Sequence, residues 1–149
     1  RTRRWEVEGC DDVVLSDTVG FVRDLPHHLV ASFHATLEEL VESDLVLHVV
    51  DASDPEAASR VEAVNEVMRH IGADGVPAIM VLNKVDLVRD GMQLQALLNR
   101  DVAPVPVSAR TGQGLNELAH RVRRHFEGSA RRWRVAVPMG QGRLMAQLR

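Results

Sequence analysis

The chain has 149 residues, a net charge of −3 at pH 7 and a 45% share of hydrophobic residues. These values fit one folded domain with a substantial core, and they exclude a disordered or low-complexity chain. The single cysteine, Cys10, excludes an internal disulfide and a cysteine metal cluster, which suits the reducing cytoplasm. No apolar run approaches the length of a membrane span, and the charged N-terminus is unlike a signal peptide. We therefore expect a cytoplasmic protein that does not insert into membranes.

The first half of the chain predicts two buried strands with a helix between them. In chain order we expect a short strand at 5–8, a hairpin turn at 9–12, a buried strand at 13–15, an amphipathic helix at 29–41 and a buried strand at 45–50. Asp54 and Pro55 then predict a helix N-terminus, because aspartate caps helices and proline suits the first helical position. His48 lies within the second buried strand and is expected to be a core residue.

The second half of the chain continues the alternation of helices and strands. In chain order we expect a helix stripe at 61–71 closed by Gly72, a buried strand at 77–82, a short helix at 92–98, a strand at 102–107 and a helix at 115–126 that stops at Gly128. Pro104 and Pro106 confine the strand at 102–107 to a sheet edge, since proline has no N–H to donate. The alternation predicts an α/β fold with a mostly parallel sheet and flanking helices.

The segment Asn83-Lys84-Val85-Asp86 follows a predicted buried strand and favours recognition of guanine. A carboxylate accepts two hydrogen bonds at once, so Asp86 could bind both the N1–H and the N2 amino group of guanine, a donor pair that adenine lacks. Lys84 offers an aliphatic stem that can lie along a planar base, and it is the only lysine beside seventeen arginines. An ordinary Asn/Asp turn after a strand remains the alternative that this motif alone leaves open.

Three polar clusters follow predicted strands: 17–20, 83–86 and 108–110. Because the carboxyl ends of parallel strands meet at one edge of a sheet, we expect all three clusters to line one crevice. Asp17 would hold Mg²⁺ through water, the Gly20 amide could face a γ-phosphate, and the Ala109 amide would donate to guanine O6. Three such clusters in this order indicate a guanine-nucleotide-binding domain.

The sequence from Leu15 to Val30 resembles the switch II segment of the HflX-type GTPases, bacterial enzymes that act on the large ribosomal subunit and split stalled ribosomes. Residues 33–39, 83–86 and 108–112 are also similar to this family. The resemblance implies a Ras-like P-loop GTPase fold, Mg²⁺-dependent hydrolysis of GTP to GDP, and a monomer that binds the large ribosomal subunit, including its RNA. It further implies a set of nucleotide-binding residues, with Asp17 holding Mg²⁺ through water: Asp17, Thr18, Val19, Gly20, Asn83, Lys84, Val85, Asp86, Ser108, Ala109 and Arg110.

The resemblance also divides the chain into two parts. Residues 1–128 are expected to form a partial G domain, and residues 129–149 a linker and the start of a small C-terminal subdomain. The chain contains no G-x-x-x-x-G-K-[ST] phosphate loop, which in the family lies just upstream of the position of Arg1. The first residue is not Met, so we expect a piece of a longer protein that lacks the central first strand and the phosphate loop. We therefore expect this piece alone to be inactive.

Catalysis in the intact protein is expected to be slow. Ras-like enzymes orient the attacking water with a glutamine just after the switch II glycine. Here Gly20 is followed by Phe21, which has no group that could orient or deprotonate water. These two residues are expected nearest to the γ-phosphate and the water, and no catalytic acid or base is assigned. The resemblance then implies that a partner, the large ribosomal subunit, raises the turnover.

Two other functions remain open from the sequence alone. A receiver-like signalling domain would use Asp51 as a phospho-acceptor, with Asp17 holding Mg²⁺ and Lys84 at a strand end, but it does not explain Asp86. A degenerate G domain would instead act as a non-catalytic binding module. The arginines between 121 and 134 could contact ribosomal RNA phosphates or form a solvated helix face.

Overall fold

The computed structural model describes residues 1–9, 13–17, 39–99 and 103–129. In these residues strands and helices follow one another, which confirms the predicted α/β class. The elements are β1 (Thr2–Trp5), β2 (Val13–Ser16), β3 (Val46–Asp51), α1 (Ala57–His70), β4 (Ala78–Asn83), a 3₁₀ turn (Val85–Leu87), α2 (Gly91–Leu98), β5 (Val105–Pro106) and α3 (Leu115–Ser129). The predictions made for Cys10, for residues 18–38 and for the subdomain at 130–149 lie outside the described residues.

Three strands form the predicted parallel sheet, in the order β3-β4-β5. The register pairs Asp51 with Asn83 at the carboxyl ends of β3 and β4, and Val81 with Val105 in β4 and β5. β5 lies at the end of this order, as its prolines predict, but it has two residues rather than the six expected at 102–107. Prolines contribute no N–H to a ladder, so the sequence around them pairs only briefly.

The parallel sheet is covered on both faces, because successive side chains of a strand point to opposite sides. On one face Met80 and Leu82 of β4 belong to a buried cluster with residues of α1 and α2. On the other face Val81 belongs to a second cluster with Leu118 and Val122 of α3. The central residues of β4 are therefore buried on both faces of the sheet, and the two hydrophobic clusters hold the strand that ends at Asn83.

The hairpin strands β1 and β2 form a separate two-stranded antiparallel sheet. The hairpin itself was predicted, but its first strand lies at Thr2–Trp5 instead of 5–8. The prediction of a buried strand at 13–15 is wrong, since Val14 is 64% exposed and Leu15 is 37% exposed. Among the described residues, β2 pairs with β1 alone and is not hydrogen-bonded to β3, so it is not part of the parallel sheet.

A cleft of about 1100 Å³ separates the two sheets. Leu15 of β2 and Asp17, which follows β2, line it on one side, and His48, Val49 and Asp51 line it from β3. Val49 in this cleft is 59% exposed, which is unusual for an apolar strand residue in an otherwise covered sheet. Only Val50 of β3 is buried, so the apolar residues of this strand are less covered than those of β4.

Two helix boundaries differ from the sequence prediction. α1 begins at Ala57, because Asp54 caps the turn before the helix: its Oδ1 accepts the N–H of Glu56 at 2.9 Å. α3 continues through Gly128 to Ser129 instead of stopping at the glycine. A glycine inside a helix costs only about 1 kcal/mol, and the buried stripe of α3 outweighs that cost.

None of the helices in the described part of the chain combines the length and the apolar character that a bilayer span requires.

The stability of the protein is expected to depend on pH through His48, which is half-buried beside the cleft rather than a core residue. Desolvation lowers the pKa of its imidazole from 6.5, so the folded protein favours the neutral ring. As the pH falls below 6.5 the unfolded chain binds more protons than the folded one, and the free energy of unfolding decreases. We expect His48→Leu to make this decrease shallower in urea unfolding between about pH 7 and pH 5. An equal flattening in His70→Leu, an exposed histidine of α1, would contradict the assignment.

Candidate functional site

Asn83 joins two of the three predicted polar clusters. Its Oδ1 accepts the N–H of Lys84 at 2.8 Å and the N–H of Ala109 at 3.0 Å. One side-chain oxygen therefore ties the loop after β4 to the loop after β5. The predicted convergence of these two loops at the carboxyl edge of the sheet is present in the structure.

Asp86 lies in the 3₁₀ turn after β4 and faces the loop after β5. Its Oδ2 accepts from both Nε and Nη2 of Arg110, at 3.0 and 2.7 Å. Its side chain is 12% exposed, whereas that of Arg110 is 74% exposed. A hydrogen bond from Ser108 lowers the pKa of Asp86, burial raises it, and the Arg110 guanidinium lowers it further, for a net lowering. Asp86 is therefore an ionised acceptor at neutral pH.

Val85 anchors the turn that carries Asp86. Its backbone N–H donates to the carbonyl of Val107 at 3.2 Å, and its partly buried side chain packs against the core on the side of α1 and α2. Val85 therefore has a structural role in the predicted site. Its contacts hold the turn in place and so set the position of Asp86 relative to the loop after β5.

The loop from Ser108 to Gly114 is fixed by its own hydrogen bonds. The fully buried Ser108 donates its N–H to the carbonyl of Gln113 at 2.9 Å, and its carbonyl accepts the N–H of Gly112 at 2.9 Å. Its Oγ accepts the N–H of Thr111 at 3.2 Å. These bonds close a tight ring that presents the Ala109 amide toward Asn83.

Lys84 points from the same site to the neighbouring strand. Its Nζ lies 2.6 Å from Oδ2 of Asp51 at the end of β3. Burial raises the pKa of Asp51, but the hydrogen bonds from Lys84 and Ser53 lower it by more. The bond to Asp51 raises the pKa of Lys84, so both groups are charged at neutral pH. Sequence reasoning considered Asp51 as the phospho-acceptor of a receiver-like domain and missed this ion pair, although the lone lysine was a signal for it.

Asp17 is placed apart from the other two clusters. Its backbone N–H donates to the carbonyl of Arg1 at 2.9 Å, and the amino terminus of Arg1 donates to the carbonyl of Asp17 at 2.8 Å. Asp17 shares the cleft with Asp51, and none of the contacts of the described residues joins it to Asn83, Asp86 or Ala109. The prediction that all three clusters line one crevice is therefore confirmed for the clusters at 83–86 and 108–110, but not for Asp17.

Divalent cations need several oxygen or nitrogen ligands close together. The described residues contain no group of three or more histidine, cysteine, aspartate or glutamate side chains that could hold a metal ion. Thr18, Val19, Gly20 and Phe21, which follow the predicted Mg²⁺ residue, lie outside the described residues.

Comparisons with known proteins show which family the chain belongs to. Residues 1–84 match the family described as 50S ribosome-binding GTPase. The GTPase HflX of Magnetococcus marinus is 41% identical over 138 residues, and that of Escherichia coli is 38% identical over 149 residues. The chain belongs to the HflX family. This assignment contradicts the receiver-like alternative.

The HflX relatives are much longer than this chain. The match covers 91% of the chain and 31% of the Magnetococcus marinus protein, and 97% of the chain and 34% of the Escherichia coli protein. The GTPase HflX of Akkermansia muciniphila is 40% identical, and the match covers 99% of the chain and 35% of that protein. The chain thus spans about a third of the length of these relatives.

Solved structures show the same fold. Crystal structures of two single-residue variants of SsGBP superpose with TM-scores of 0.68 and 0.70 and are 26% identical in sequence. They cover 83% and 85% of this chain, which corresponds to 46% of each SsGBP chain. The α/β arrangement described above is therefore also found as part of a longer chain.

Proposed function

We propose that the protein containing this chain binds GTP and GDP at the carboxyl edge of the parallel sheet and hydrolyses GTP with Mg²⁺. The observation that carries the proposal is the contact of Asn83 Oδ1 with the N–H of Ala109, because it assembles the loops after β4 and β5 into one site. The membership of the chain in the HflX family supports the same activity.

Asp86 reads the base in this proposal. An ionised carboxylate accepts both the N1–H and the N2 amino group of guanine. Arg110 occupies Oδ2 of Asp86 with two N–H donors in the structure described here, and guanine offers two donors of the same kind. The guanidinium of Arg110 is 74% exposed, so it can move into solvent when the donors of guanine take its place on Asp86. When guanine binds, its N1–H and N2 amino group thus replace the two N–H donors of Arg110 on the Asp86 carboxylate.

Ala109 and Asn83 complete the base site. The Ala109 N–H donates to Asn83 Oδ1 in the structure, so its proposed donation to guanine O6 shares or replaces that bond. The rigid ring from Ser108 to Gly112 keeps this amide in position. Adenine carries an amino group where guanine carries O6, and it would oppose the Ala109 N–H donor.

The phosphates and Mg²⁺ are assigned to the switch II segment. Mg²⁺, when bound, would neutralise charge that develops on the transferred phosphoryl group. Asp17 would hold the ion through water, and the Gly20 amide would face the γ-phosphate. Phe21 offers no group to orient water, so we propose slow turnover that the large ribosomal subunit raises. Because no phosphate-loop motif occurs in the 149 residues, this segment alone is proposed to bind GTP weakly and not to hydrolyse it.

The large ribosomal subunit is the proposed partner, on the strength of the family description. The arginines of α3 contribute less to this proposal than the sequence suggested. Arg121 lies 3.3 Å from Glu117, one turn earlier in the helix. Arg123 lies 3.4 Å from Glu127, one turn later. Such pairs favour a solvated helix face over a surface reserved for RNA phosphates.

The proposal is tested with the protein expressed at its full natural length. We expect tight binding of GTP and GDP, no binding of ATP at the same concentrations, and GTP turnover that increases when large ribosomal subunits are added. The 149-residue chain measured beside it should bind GTP weakly and show no turnover. Equal affinities for GTP and ATP would contradict the assigned base site. Binding without turnover, even with large subunits present, would favour the non-catalytic binding module.

A further inference from the structure

The carboxylate of Asp51 is aligned by its own neighbour at the end of β3. Its Oδ1 accepts the N–H of Ser53 at 3.0 Å and the hydroxyl of Ser53 at 2.6 Å. These two bonds fix the plane of the carboxylate and leave Oδ2 as the oxygen that faces β4. The orientation of Asp51 is therefore set by β3 and the turn that follows it.

Lys84 reaches Oδ2 of Asp51 through an unusual backbone conformation. It is the only non-glycine residue with a positive φ in the described part of the chain, at φ 63 and ψ 33. This left-handed conformation is unfavourable for a residue with a long side chain, so surrounding contacts must hold it. The N–H bond to Asn83 Oδ1 and the Nζ bond to Asp51 are two such contacts, one at each end of the residue.

The two contacts of Lys84 connect the candidate base site with the neighbouring strand. The backbone end of Lys84 shares Asn83 Oδ1 with the Ala109 amide. Its ammonium end lies at β3, where the N–H of Ala52 also donates to the carbonyl of Asn83 at 2.8 Å. The aliphatic stem therefore runs from the base site across the end of the sheet, and both of its ends are held before any ligand binds.

We propose that Asp51 is a positioning residue for guanine nucleotide binding, which holds Lys84 so that its aliphatic stem forms a preformed wall of the base site. This inference rests on the proposed nucleotide-binding function. A lysine side chain loses much rotamer freedom when it lines a ligand, and a partner that restricts it beforehand removes part of that cost from binding. Asp51 does not contact the base in this proposal and acts only through Lys84.

The expected effect is modest because the ion pair is partly exposed: the side chains of Lys84 and Asp51 are 51% and 35% accessible. We expect Asp51→Asn to raise the dissociation constant of GDP about fivefold, the upper end for an exposed pair. Ser53→Ala, which leaves Asp51 in place but loosens it, should raise the constant about twofold. The preference for GDP over ADP and over xanthosine diphosphate should stay unchanged in both variants, because neither alters Asp86.

A double-mutant cycle on the full-length protein distinguishes positioning from a general structural effect. Asp51→Asn, Lys84→Met and the double variant are compared by titration with fluorescently labelled GDP, with thermal unfolding measured on each. Methionine retains an unbranched stem without the charge, so Asp51→Asn should have no further effect in the Lys84→Met background. Asp74→Asn is the matched control, an exposed carboxylate before β4, and it should leave the affinity unchanged.

The outcomes separate this inference from the proposed function. The inference is supported if the wild-type protein binds GDP, if Asp51→Asn lowers the affinity for GDP about fivefold, and if the same substitution has no effect in the Lys84→Met background. Effects of the two substitutions that simply multiply, or an affinity unaffected by Asp51→Asn, would overturn it while the proposed function stands. If the wild-type protein binds no guanine nucleotide, both the inference and the proposed function fail.

Discussion

Asp86→Asn is expected to lower the affinity for GDP and GTP at least about a hundredfold and to shift the preference toward xanthosine nucleotides. The asparagine amide can accept from guanine N1–H, but its NH₂ group would face the N2 amino group of guanine, donor against donor. Xanthine carries a carbonyl oxygen at that position and accepts from the same NH₂ group. Parallel titrations of the full-length protein with GDP and xanthosine diphosphate measure this shift.

Asp90→Asn is a suitable control for the loss of a charge near this site. Asp90 caps α2, where its Oδ1 accepts the N–H of Met92 at 2.9 Å, and asparagine caps helices about as well as aspartate. The control should keep the preference for guanine. If Asp86→Asn retained the wild-type ratio of GDP to xanthosine diphosphate affinity, Asp86 would not be the residue that reads the base.

Gly114→Ala is expected to destabilise the protein by about 3 kcal/mol or more. A Cβ at this position would overlap the carbonyl oxygen of Pro106 and press on the Cα of Val107 at 3.2 Å. Both contacts are backbone, so neither can move without displacing β5 or the start of α3. The residue also has φ +75, which L side chains adopt only with strain. Urea unfolding monitored by circular dichroism measures the loss.

Gly112→Ala separates the steric overlap from the backbone strain. Gly112 has a similar φ of +83, but nothing lies within 4 Å of a Cβ built on it. We expect this variant to cost about 1 to 2 kcal/mol, the price of the left-handed conformation alone. Equal losses in the two variants would show that the close approach of Pro106 contributes nothing.

The sequence by itself determined the class of fold and the order of its elements. Buried apolar runs that alternate with amphipathic stripes allow few arrangements other than a parallel sheet with helices on both faces. The prolines at 104 and 106 determined that the last strand is an edge strand, because proline cannot donate to a second neighbour. The spacing of Asn83 and Asp86 and the Ser108-Ala109 pair also identified the loops that meet, since polar residues after parallel strands share one edge.

Only the tertiary structure decided which side chains are covered and which distant groups pair. The apolar pattern of residues 13–15 is the same whether or not a strand lies beside it, so the exposure of Val14 could not be predicted from the pattern. Asp51 and Lys84 are 33 residues apart, and Asp86 and Arg110 are 24 apart. Such pairs depend on strand register and on the left-handed turn at Lys84, which are properties of the assembled sheet. A local sequence pattern constrains the backbone of one element, whereas ion pairs and burial depend on which elements become neighbours.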